Sequence, residues 1–100
     1  MRVYLTSKKS NIAAVADYVL ETKECIVKQG SILSENIATS KTFKGSKAVS
    51  KAREGVVEEC KLLRDVLFNS PSTAANFVTG NSTNGILAWK NENGIPIRKI

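Results

Sequence analysis

Histidine is absent from the chain's 100 residues, and only two cysteines, two prolines and one tryptophan occur. Without an imidazole, the commonest base near neutral pH is missing. Cys25 and Cys60 are isolated from one another, which leaves no ligand set for zinc, and a disulfide framework calls for more cysteines at closer spacing. Each sits among apolar neighbours and reads as a buried free thiol. No G-x-S-x-G elbow and no phosphate-cradling glycine loop occurs. Glu59-Cys60-Lys61 matches the E-x-K fragment of some nucleases, but it falls inside a predicted helix with no acidic strand beside it, and reads as solvated helix charge. The expectation is therefore no enzyme, no cofactor and no metal. No apolar run approaches the ~20 residues that span a bilayer. The first ten residues lack the apolar core of a signal peptide. A cytoplasmic location away from the membrane is expected.

What is present suits a single domain over residues 1–100. Hydrophobic residues make up 42% and charged residues 24%, an ordinary globular balance. At this length roughly two-thirds of the unfolded surface can be buried without a staple. Val3 to Thr6 reads as a first strand, and Ser7 to Asn11 as a turn. Ile12 to Leu20 admits two readings. Ile12, Val15, Ala16, Val19 and Leu20 form a helical stripe, yet a strand leading through Glu21-Thr22-Lys23 into a second strand over Glu24–Lys28 fits as well.

Further on, Ile32 to Gly45 reads as mostly loop. A helix is predicted over about Lys47–Leu63, with Ser46 as N-cap and Val49, Ala52, Val56, Cys60 and Leu63 on one face. Asp65 to Asn69 reads as a short strand. Ser70-Pro71 opens a second, short helix, with Ser as N-cap and Pro at the first helical position, and Gly80 ends it. Asn84-Gly85 then turns into a strand over Ile86–Lys90. Asn93-Gly94 offers a hairpin into Ile95–Ile97, where Pro96 marks an edge. The fold class is α+β: a small, mainly antiparallel sheet with one longer and one short helix packed on it.

Two features bear on function. The formal charge is +6, which favours anionic partners, and Lys41, Lys44, Lys47, Lys51 and Arg53 follow one another without an intervening acid. Cations around a helix start add to its unpaired N–H groups and suit phosphate, although a solvated face would have the same composition. From Val66 to Trp89, by contrast, no residue is charged. Amides and hydroxyls fill that stretch, and such groups can contact phosphates or base edges as well as cap helices and close turns. Ser72, Thr73, Asn81 and Asn84 join the five cations as candidate contacts. Trp89, following Ile86 and Leu87, reads as a core residue rather than a stacking platform.

The same stretch carries a resemblance. Ser70-Pro71-Ser72, Ala74-Ala75, Gly80, Asn84-Gly85, Trp89-Lys90 and Gly94 resemble a small bacterial domain of unknown function found attached to GIY-YIG endonucleases and to restriction- or modification-linked proteins. Cys25 to Ser31 looks like that family's strand ending in Gly-Ser, and Lys51-Ala52-Arg53-Glu54 like its helix. The chain is also similar to the restriction-system adenine-methylase-associated domain, except that Asn84-Gly85 stands apart from Trp89, so no modified-base pocket is carried over. The resemblance implies a strand at Ile12–Leu20. It also implies an accessory module for nucleic acid, DNA more than RNA, with a nuclease attached or associated. A protein-interaction or structural accessory domain is the alternative.

Overall fold

A computed structural model describes residues 1–38 and 45–100. Its main sheet has the order β1-β2-β3-β6, antiparallel throughout. The strands are β1 Arg2–Ser7, β2 Ile12–Tyr18, β3 Cys25–Val27 and β6 Val66–Phe68. Strict alternation decides β2 in favour of a strand. Ile12, Ala14, Ala16 and Tyr18 are buried, while Ala13, Val15 and Asp17 face outward and Leu20 is exposed. Val3 and Leu5 of β1, and Cys25 and Val27 of β3, complete the inner face.

Helix α2, Pro71–Thr79, lies on that face with Ala74, Ala75, Phe77 and Val78 buried. Alanines stand on both sides of this interface, at positions 14 and 16 of the sheet and 74 and 75 of the helix. The end signals act as the sequence predicts. Ser70 is extended and its Oγ accepts from the Thr73 N–H at 3.2 Å, and Gly80 is left-handed with φ 68°. Trp89 is fully buried and its indole N–H donates to the Pro71 carbonyl at 3.0 Å.

The predicted helix over 47–63 is half its expected length. Helix α1 spans Ser46–Arg53, and its N-cap is Gly45 rather than Ser46. Gly55 turns left-handed, φ 75°, directly after it. The chain then forms a hairpin, β4 Val57–Glu58 with β5 Lys61–Leu62. Glu59 and Cys60 both have positive φ, the pattern of a type I′ turn. The Glu59-Cys60-Lys61 match therefore sits on a hairpin tip, not on a helix. Leu62, fully buried, anchors β5, and its N–H and C=O bond Ser31 and Gly30. Burial of Leu62 and these ladder bonds outweigh the helical spacing of Val56, Cys60 and Leu63, and Leu63 is left exposed. The fold class is α+β as expected, but its two main helices are nearly equal in length, eight and nine residues.

The predicted strand Ile86–Lys90 also differs. Gly85–Ala88 is a single helical turn, α3. An ideal Cβ on Gly85 would lie 2.2 Å from the Pro71 backbone, so the start of α3 packs directly on the start of α2. The closing hairpin contracts to single bridges, Lys90 with Tyr4 and with Pro96. A 3-10 turn over Ile97–Lys99 follows. Among the described residues no helix is long and apolar enough to cross a membrane.

Candidate nucleic-acid interface

Helix α1 divides its residues sharply. Val49 is buried, Ala52 and Arg53 are half-buried, and Lys47, Ala48, Ser50 and Lys51 are exposed or nearly so. Lys47 and Lys51 stand one turn apart, at positions that share a face. Neither forms an ion pair among the described residues, and the helix contains no acid.

Arg53 serves a different purpose from its neighbours. Its Nε and Nη2 donate to the Phe77 carbonyl at 3.0 and 2.7 Å, Nη2 also reaches the Val78 carbonyl and Ser34 Oγ, and Nη1 reaches the Ser34 carbonyl at 2.9 Å. The guanidinium lies 5.8 Å from the centroid of the Phe77 ring. Phe77 and Val78 belong to the last turn of α2, where carbonyls lack helical partners and the macrodipole favours a cation. Burial pulls the Arg53 pKa below its ordinary value, yet a guanidinium keeps its charge in proteins. Arg53 thus ties α1, the Ser34 segment and the end of α2 together, and its donors are engaged inside the fold.

Between α1 and α2 lies a groove of about 180 Å³, lined by Gly45, Ala48, Val49 and Ala52 on one side and Phe68, Thr73, Asn76 and Phe77 on the other. The Phe68 and Phe77 rings meet at 4.9 Å, tilted by 47°. Asn76 Oδ1 accepts from the Thr83 N–H at 2.8 Å, and the amide's NH₂ has no hydrogen-bond partner among the described residues. In the sequence Asn76 is one of many amides and hydroxyls in the uncharged stretch, with nothing in residue type alone to single it out. Its spacing from Thr73, one turn along a helix, is the signal that would have set both toward α1.

The remaining candidates scatter. Thr73 is exposed and its hydroxyl shares a hydrogen bond with Ser70 Oγ at 2.9 Å. Ser72 Oγ accepts from the Gly85 N–H at 3.0 Å, so it holds α3 onto α2 and brings Asn84 beside it. The Asn84 side chain is exposed and forms no capping bond. Asn81 lies past the other end of α2, with Oδ1 accepting from the Ser82 N–H. The structure thus sets Thr73 in the groove and Lys47 and Lys51 on the exposed side of α1, outside the groove's lining, with Ser72 and Asn84 at the start of α2 and Asn81 away from both. Lys41 and Lys44 lie outside the described residues.

On the outer sheet face four charged residues neutralise one another in pairs. Arg2 binds Asp17 at 2.8 Å, and Lys28 binds Asp65 at 2.8 Å and Asp17 at 3.7 Å. The hydrogen bond from Arg2 holds the Asp17 carboxyl below its ordinary value, and that from Lys28 does the same for Asp65. Cys25 is pushed up to about 12 by burial, which makes it a poor nucleophile. No cluster of three or more metal-ligating side chains occurs among the described residues.

The family model for a domain of unknown function, DUF4357, matches residues 5–100. The chain belongs to that family. Neither a curated protein nor a solved structure matches it.

Proposed function

We propose that this chain is an accessory nucleic-acid-binding module, for DNA rather than RNA, that works attached to or alongside a nuclease or a restriction or modification enzyme. The observation that carries the reading is the acid-free face of α1. Lys47 and Lys51 form no ion pair among the described residues, in a chain of net charge +6. Two lysines one turn apart can follow a phosphate backbone, and release of the counterions condensed there supplies the affinity. Thr73 and Asn76, across the groove from Ala48 and Ala52, add neutral donors. The resemblance to domains appended to GIY-YIG endonucleases and restriction-linked proteins supports the choice of DNA and of an enzyme partner.

A second reading draws on the opposite side of the sheet. Tyr4, Val15, Ile26 and Leu67 share the outer face, and Leu67 is 55% exposed. Charges there cancel as ion pairs, which suits a protein surface better than a polyanion. Fluorescence anisotropy with labelled duplex DNA, single-stranded DNA and RNA, repeated across a salt series, separates the two. The nucleic-acid reading expects a log–log slope of about −0.9 per phosphate on duplex DNA. A folded sample that binds neither DNA nor RNA at low salt would refute it and leave the protein-docking reading.

A further inference from the structure

We propose that the α1–α2 groove receives one unstacked nucleobase of a bound strand, while the neighbouring phosphates lie on Lys47 and Lys51; this rests on the nucleic-acid reading above. At about 180 Å³ the groove is well below the ~300–1,000 Å³ of sites for drug-sized ligands. It has room for a single flat ring system, not for a whole nucleoside. Its walls suit such a ring. Gly45, Ala48 and Ala52 keep one side low, and half-buried Phe68 backed by Phe77 presents aromatic surface on the other. Stacking of this kind tolerates any base.

Polar chemistry is concentrated in two residues. Asn76 has its carbonyl oxygen fixed by the Thr83 N–H, and its NH₂, without a partner among the described residues, can donate to a ring nitrogen or carbonyl oxygen of a base. Thr73 Oγ1 is exposed at the same groove. Charge complementarity selects the occupant. The groove is lined on α1 by Gly45, Ala48, Val49 and Ala52, so Lys47 and Lys51 stand outside it on the exposed side of the helix, beyond Ala48, where a strand crossing α1 would approach. Acids are missing from α1. A free apolar ligand would gain nothing from that flank, whereas a base attached to a phosphodiester backbone uses both surfaces at once. Arg53, bonded to the end of α2, fixes the spacing of the two walls.

The test compares a short fluorescein-labelled DNA strand with the same strand carrying abasic sites. The wild-type chain is expected to bind the base-bearing strand about tenfold more tightly, the lower range of stacking effects. Ala48→Leu projects into the groove and should bring that ratio close to one while the salt slope is retained. Asn76→Asp keeps the acceptor for Thr83, removes the NH₂ donors and should also lower the ratio; a melting curve confirms that each variant is folded. An unchanged ratio in folded Ala48→Leu and Asn76→Asp overturns the groove proposal while leaving salt-dependent DNA binding intact. Equal wild-type affinity for the base-bearing and abasic strands overturns it as well. Absence of any DNA binding by the wild-type chain removes the nucleic-acid reading and the groove proposal together.

Discussion

Helices α1 and α2 are almost the same length, yet they are held by opposite means. Helix α2 is specified locally. Ser70 caps it, Pro71 starts it, Gly80 ends it, and four of its nine residues besides the proline are buried. Helix α1 has no side-chain cap and a single buried residue, Val49. Arg53 holds its end, reaching across to carbonyls of Ser34 and of α2. Because one arginine and one valine anchor α1, its remaining face is free to carry lysines. The apolar face of α2 is committed to packing, while Thr73 and Asn76 line the groove.

That contrast can be broken most severely at Gly85, where α3 touches α2. Gly85→Ala places a methyl against the Pro71 backbone and is expected to cost about 3 kcal/mol, the upper range of overpacking, read by urea denaturation. Arg53→Met should come next, at about 2 kcal/mol, because it strips charged donors from several carbonyls. Its amide hydrogen exchange should quicken at α1 and at the end of α2 together; faster exchange at α1 alone would show that the tie is not shared. Ser70→Ala removes one cap bond and should cost about 1 kcal/mol, with α1 unaffected.

The smallest effect is electrostatic. Asp17 and Asp65 are held below their ordinary value of 3.8 by hydrogen bonds from Arg2 and Lys28. The unfolded chain therefore takes up protons first as pH falls. The stability they contribute is full above the ordinary value and disappears as pH drops through the folded-state values. Asp17→Asn with Asp65→Asn should flatten the acid limb of a stability–pH curve.

How much of this is legible in the sequence follows the same division. Ser70-Pro71 and Gly80 each state a local backbone requirement, so α2 and its ends can be read directly. The end of α1 cannot. Gly55 reads as a tolerated interior glycine, and Glu59-Cys60 gives no turn signal, since neither residue is a usual choice at positive φ. The pull that unwinds the helix comes from Leu62 docking on Gly30 and Ser31, which is invisible until the chain folds. Arg53 shows the same limit at the candidate site. Composition marks it as one cation in a basic run, while its partners lie 19 to 25 residues away. Lys47 and Lys51 need only helical spacing to be placed on one face, but the groove beside them depends on Phe68, Thr73 and Asn76 arriving from other elements.

The central claim is that the lysines of α1, rather than overall positive charge, hold the nucleic acid. Charge reversal at two places on the surface tests it directly: Lys47→Glu with Lys51→Glu on α1, against Lys8→Glu with Lys9→Glu on the exposed β1–β2 turn. Both pairs change the net charge equally, from +6 to +2. Anisotropy titrations with one labelled duplex, across a salt series, should show the α1 pair weakening binding far more than the turn pair, with a slope shallower by about 0.9 for each phosphate no longer neutralised. Equal weakening by the two pairs, with equal slopes, would contradict the account.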